Sequence, residues 1–113
     1  MHSMDKTTVL DILSRFKEAL TKHGAAPSRL VLYGSHANGT PHEGSDIDVV
    51  VISPDFEGKG YWDRLEIVSE AICDLFEPIE AIAMTPAEWE QGESPIASFA
   101  RDGEVVYDSA LQS

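Results

Sequence analysis

Between Ser45 and Ser53 the chain reads Asp46-Ile47-Asp48-Val49-Val50-Val51-Ile52, and this run constrains the fold more than any other. The β-branched residues Val49 to Ile52 lose side-chain freedom in a helix and pack well on a pleated surface, so the run is a strand. Ser53-Pro54 ends it. Side chains alternate across a strand, which puts the carboxylates of Asp46 and Asp48 on one face and Ile47, Val49 and Val51 on the other. Two like charges this close are unfavourable unless a cation sits between them or one carboxylate is protonated. Hard oxygen donors near a strand end suit Mg²⁺ or Mn²⁺, with water and a substrate phosphate filling the remaining positions. A lone aspartate here reads as a strand start or a turn cap. The pair, followed by apolar residues of the buried type, reads as a metal site.

The rest of the chain supplies partners for this strand. Val9, Ile12, Leu13, Phe16 and Leu20 recur at helical spacing, with Asp5 as N-cap and Gly24 as stop, giving a helix over residues 5–23. Leu30-Val31-Leu32-Tyr33 is a short strand ended by Gly34. Gly39, Pro41 and Gly44 keep residues 35–45 a turn region. That connection is too short for an ordinary crossover helix, so the strands on either side of it are antiparallel. Residues 55–60 read as a loop. Trp62, Leu65, Val68, Ile72 and Phe76 outline a second amphipathic helix over residues 61–76, stopped by Pro78. Cys73 falls on its apolar side and reads as packing. Residues 79–84 form a third strand, Pro86-Ala87 opens a helical turn reaching Trp89, and Ser94-Pro95 caps a short helix through Ala100. Residues 104–107 are a fourth, edge strand, and the last six residues a frayed tail. Alternating strands and helices argue for an α/β fold: a mixed sheet of about four strands with helices packed on it.

The chain has 113 residues, so residues 1–113 are read as one domain with little to spare for a second. Eight Lys and Arg stand against twenty Asp and Glu, a formal net charge of −12. Nucleic-acid affinity comes mainly from Lys and Arg displacing counterions, so direct nucleic-acid binding is not expected. The single cysteine, Cys73, excludes an internal disulfide. No apolar run reaches the ~20 residues of a membrane span, and the N-terminus lacks the apolar stretch of a secretion signal. A cytoplasmic location is therefore expected.

The turn Gly34-Ser35-His36-Ala37-Asn38-Gly39 directly succeeds a strand. Glycine lets a phosphate approach the backbone closely, and Ser35 can donate its hydroxyl and, at a helix start, its N–H. Alone this is a common turn. It gains meaning from residues a short distance downstream: Ser45, Asp46, Asp48 and a β-branched run.

Leu32-Tyr33-Gly34-Ser35-His36-Ala37-Asn38-Gly39 with Gly44-Ser45-Asp46-Ile47-Asp48-Val49-Val50-Val51 resembles the signature of the DNA polymerase beta-type nucleotidyltransferase superfamily. Its minimal nucleotidyltransferases are the closest group. The resemblance implies a nucleotidyltransferase-like fold in which Gly34, Ser35 and Ser45 contact the triphosphate of ATP or another NTP. Asp46 and Asp48 would bind the metal, Mg²⁺ or Mn²⁺. A third carboxylate on a neighbouring strand completes such sites, often as aspartate. The matching position is Glu80, in Pro78-Ile79-Glu80-Ala81-Ile82, whose longer side chain departs from the pattern. A basic residue often comes after the Gly-Ser portion, and Asn38 stands there instead. The implied reaction is attack of an acceptor hydroxyl on the α-phosphate with loss of pyrophosphate, Asp48 or Glu80 taking the proton. AMP is the expected group.

The resemblance also implies a partner, because many such small proteins are antitoxins that modify a helical HEPN-domain toxin with AMP. A hetero-oligomer or homo-oligomer is compatible with that. The alternatives are a catalytically weak subunit that neutralises a partner by binding alone, and a small-molecule (antibiotic) nucleotidyltransferase completed by a second subunit. Other candidates carry less. His36 and His42 lie in the phosphate loop without a defined partner, and His2 and His23 have no supporting context. Tyr61 and Trp62 could stack on a base, but Trp62 fits the helix core better. Glu88, Glu90 and Glu93 read as a solvated face.

Overall fold

The computed structural model describes residues 6–33, 47–91 and 103–109. Helix α1 spans Lys6–Lys22, followed by strands β1 (Arg29–Tyr33) and β2 (Ile47–Ile52). A 3-10 turn at Pro54–Phe56 leads to α2 (Tyr61–Leu75), β3 (Ile79–Met84), the short helix α3 (Pro86–Gln91) and β4 (Glu104–Asp108). The four strands form one mixed sheet in the order β3-β2-β1-β4. β1 runs antiparallel to β2 and β4, while β2 and β3 are parallel, joined across α2. The expected mixed α/β sheet is thus present, with β4 at one edge.

Alternation on β2 decides what covers each face. Ile47, Val49 and Val51 join Leu30, Leu32 and Ile79 beneath α1 and α2, where Ile12, Phe16, Leu20, Val68 and Ala71 are buried. Val50 and Ile52 point the other way, against Val31, Met84 and Trp89 of α3. Because both faces of its C-terminal half are covered, the strand reads as an unbroken apolar run there.

Helix α1 ends as its glycine suggests. Gly24 adopts φ +104°. Its N–H reaches the Thr21 carbonyl, and the Ala25 N–H reaches back to Leu20 at 2.9 Å, the paired bonds of a Schellman stop. The helix expected after residue 60 also forms, but it is rotated from the face read off the sequence. Val68 and Ala71 are buried in the core and Ile72 packs against it, whereas Trp62 is 76% and Phe76 92% exposed. Trp62 lies six residues before Val68, about 120° around a helix, so both cannot face the core. The small Ala71 lets the backbone approach the sheet, and Arg64 shares the inward side. Cys73 is exposed as well, not packed.

Other expectations are corrected by local contacts. Phe56, inside the stretch read as loop, is fully buried. His23 does have a context: its Nδ1 lies 3.1 Å from Glu70 and its Nε2 2.8 Å from Asp74, linking the end of α1 to α2. The first two residues of the stretch read as a frayed tail are instead held in place. Asp108 belongs to β4 and pairs with Arg29 at 3.2 Å, and the Ser109 N–H donates to the Ser28 carbonyl. Asp5, Glu93 and the short helix expected to reach Ala100 lie outside the described residues. No helix among the described residues is long and apolar enough to cross a membrane.

Candidate active site

The face of the sheet carrying α3 is apolar at one end only. Asp48 pairs in register with Tyr33 on β1 and with Glu80 on β3. Residues opposite one another in a sheet project to the same side. Tyr33, Asp48 and Glu80 therefore form a row across three strands, on the face that Val50, Ile52 and Trp89 occupy farther along. The row sits where β1 ends and where β2 and β3 begin, the end at which residues 34–46 join the sheet. Neighbouring strands lie about 4.8 Å apart, so two carboxylates at opposed positions are within reach of one cation.

The electrostatics agree with that closeness. The Tyr33 hydroxyl is held above its ordinary 10.0, first by burial and then by the negative charges of Asp48 and Glu80. Asp48 is half-buried and Glu80 exposed, so the row grades from the sheet interior toward solvent. As chemistry, two hard oxygen donors on adjacent strands fit Mg²⁺ or Mn²⁺. Among the described residues no group of three His, Cys, Asp or Glu gathers as a metal cluster. Asp46, Gly34, Ser35 and Ser45 lie outside the described residues, as do Asn38, His36 and His42. Of the residues singled out in the sequence, Asp48 and Glu80 are the ones the structure brings together.

Tyr33 reads in the sequence only as a strand former. Its place opposite Asp48 comes from the antiparallel pairing, which no residue-by-residue reading contains. Glu88 is also more than the solvated acid its neighbours suggest. It accepts from Arg64 Nη1 at 2.7 Å and Nη2 at 3.2 Å, and from the Thr85 N–H at 2.9 Å. The Glu88 N–H donates in return to Thr85 Oγ1. Thr85-Pro86-Ala87-Glu88 is thus a reciprocal capping box with proline at the first helical position, a signal legible in the sequence. The Arg64 bond, then the Thr85 backbone bond, holds the Glu88 carboxyl below its usual range, against an opposing effect of burial. Arg64 also donates to the Lys59 carbonyl at 2.9 Å. This latch fixes α3, and with it Trp89, over the far end of the face.

Comparisons with known proteins bear on the same region. A family profile described as "nucleotidyltransferase domain" matches residues 13–96, most of the chain and both carboxylate strands. No curated protein matches. Among solved structures, a Sulfolobus solfataricus protein assigned by inference to the nucleotidyltransferases superimposes with a TM-score of 0.68 at 18% identity. The match covers 89% of this chain and 81% of that one, and at this identity it speaks for the fold. A second protein with the same assignment gives a TM-score of 0.53 at 26% identity, over 86% of this chain and 95% of its own. A Bol-like protein of Babesia bovis gives 0.49 at 26% identity, over 83% of this chain and all of its own, too loose a likeness to bear on chemistry.

Proposed function

The chain belongs to the nucleotidyltransferase domain family, and from that premise we propose that it transfers AMP from ATP to an acceptor hydroxyl, with Asp46, Asp48 and Glu80 as its acidic centre. The observation that carries this reading is the register of β2 and β3, which sets Asp48 beside Glu80 on one face. Family membership makes an NTP the donor. Nucleotidyltransferase domains typically use divalent metal, and the two adjacent carboxylates have the right chemistry to hold it. Bound there by Asp46, Asp48 and Glu80, Mg²⁺ or Mn²⁺ would neutralise charge on the triphosphate and on the departing pyrophosphate.

The chain's own groups have distinct tasks in this scheme. Gly34, Ser35 and Ser45 contact the phosphates through backbone N–H and hydroxyl groups. Asp48 or Glu80 accepts the proton of the acceptor hydroxyl as it attacks the α-phosphate. Tyr33, kept neutral beside the two charges, offers a hydroxyl donor at the edge of the row. The sheet holds Asp48 and Glu80 in place, so most of the rate comes from positioning and fixed charge.

The acceptor we favour is a protein, specifically a helical HEPN-domain toxin neutralised by modification. The resemblance to minimal nucleotidyltransferases supports this. The test is incubation with α-labelled ATP, Mg²⁺ and such a partner. Wild type should label the partner, chelation should stop it, and Asp48→Asn should cut the rate by roughly 10²–10³. Full labelling by Asp48→Asn would end the proposed role of that carboxylate. A second reading, neutralisation by binding alone, rests on the Glu80 and Asn38 departures. It wins if Asp46→Ala with Asp48→Ala still suppresses the partner completely.

A further inference from the structure

The end of α1 is joined to α2 by charge as well as by packing. Ile12, Phe16 and Leu20 of α1 share the core with Val68 and Ala71 of α2. Directly beyond the last turn of α1 stands His23. Its ring lies between two carboxylates of α2. Nε2 is 2.8 Å from Asp74 Oδ2, and Nδ1 is 3.1 Å from Glu70 Oε2. The His23 side chain is only 21% exposed, so water screens the ring less than it screens the two acids.

Both ring nitrogens thus face a group that can only accept. A neutral imidazole has one N–H and one lone pair, whereas imidazolium has two N–H groups. The neutral ring serves one carboxylate and turns its lone pair toward the other. The cation suits both. Two more features favour the cation. Glu70 and Asp74 are four residues apart on α2, where like charges repel along a helix face. A positive ring between them offsets that repulsion. The His23 backbone N–H donates to the Ala19 carbonyl at 3.0 Å, which sets the residue at the carboxyl end of α1, where positive charge is stabilised. Among the neighbouring bases, Lys22 is next in the chain and exposed, so it opposes the ring's charge weakly. Arg15, farther back on α1, is taken up by Asp11 and by Glu77.

We propose that His23 is a proton-operated clasp between the end of α1 and helix α2, closed when the imidazolium bridges Glu70 and Asp74 and slackened when the ring is neutral. Stability from the clasp is present while the ring holds its proton and is lost as pH rises through the ring's titration. On the acid side it fails once Glu70 and Asp74 take up protons. Histidines change charge between about pH 5 and 8, so the device responds to mild changes around neutrality. It lies on the α1 and α2 side of the sheet, opposite the row of Tyr33, Asp48 and Glu80, and needs neither nucleotide nor metal. It therefore stands or falls apart from the transfer reaction.

The test is urea unfolding of the full chain and of His23→Gln at about pH 5.5 and about pH 8. The other histidines, His2, His36 and His42, are common to both proteins, so their titrations cancel in the ratio of the two folding constants. The ratio of wild type to His23→Gln should fall by at least about threefold from the lower pH to the higher. In a background of Glu70→Gln with Asp74→Asn, the same ratio should not change with pH. If His23→Gln does not fold, the wild type alone carries the comparison. The Ala25 N–H closes the end of α1 on the Leu20 carbonyl, and its hydrogen-exchange protection should fall by at least about threefold over the same pH range. Three results overturn the proposal: a ratio indifferent to pH or rising with it, a fall that persists without the two carboxylates, or unchanged protection at Ala25 where the variant is unfolded.

Discussion

The two ends of the α3 face of the sheet are built on the same strands and share no chemistry. At one end Val50, Ile52 and Met84 lie under Trp89, all at most 7% exposed. At the other, two residues back along β2, Asp48 stands between Tyr33 and Glu80, half-buried where Val50 is fully buried. The covered end contributes stability by removing apolar area from water. The open end places like charges side by side, which costs stability and is retained where a ligand needs it. Groups that hold the fold are thereby separated from groups that would act on a nucleotide.

The largest effect is expected at the covered end. Trp89→Ala removes the lid from Val50 and Ile52 and should lower stability by about 3–5 kcal/mol in urea unfolding. A loss below about 1 kcal/mol would mean that α3 is not the cover. Next comes the latch that holds α3. Arg64→Met removes the bonds to Glu88 and to the Lys59 carbonyl while keeping the aliphatic stem. The Arg64 side chain is only 17% exposed, so the acceptors it leaves are partly cut off from water. The expected cost is about 1–3 kcal/mol, read from the same urea unfolding curves.

At the open end the sign should reverse. Asp48→Asn removes one of two opposed charges and should leave stability unchanged or raise it by up to about 1 kcal/mol, while transfer activity falls. A clear destabilisation would show that Asp48 supports the fold. It would then have to be grouped with Val50 rather than with Glu80.

How much of this was legible depended on whether the signal was local. The strand at β2 was, because β-branched residues in a row have few other uses. So was the stop of α1 at Gly24, and so was the antiparallel return from β1, which a short connection dictates. The face of α2 was legible only in part: Val68 and Ile72 do pack on the core, whereas Trp62 and Phe76 do not. Its sequence holds two apolar stripes, and choosing between them depends on Ala71 admitting the sheet and on Arg64 finding Glu88 in another element. The site divides the same way. The spacing of Asp46 and Asp48 is local to the sequence, and of the two only Asp48 lies among the described residues. The approach of Glu80 and Tyr33 to Asp48 is a matter of register between strands, which a single sequence carries only through the fold. Thr85 to Glu88 was a legible capping signal that the acidic composition of that stretch obscured.

The smallest effect concerns Tyr33, where the two carboxylates can be sensed without any ligand. Its hydroxyl ionises above 10.0, first because of burial and then because of Asp48 and Glu80. A folded-state value above the unfolded one favours the protonated, native form. This contribution to stability is therefore complete below pH 10.0 and is lost as pH rises through the folded value. Residue-resolved NMR titration should show Asp48→Asn bringing Tyr33 part of the way down toward 10.0, and Glu80→Gln moving it less, since Asp48 is the larger of the two charges felt. Burial should hold it above 10.0 in both variants. Mg²⁺ added to wild type should act in the same direction as the substitutions, because a cation between the carboxylates cancels their field at the hydroxyl. A Tyr33 titration indifferent to Asp48→Asn would separate the row into unrelated side chains and remove the electrostatic support for a shared site.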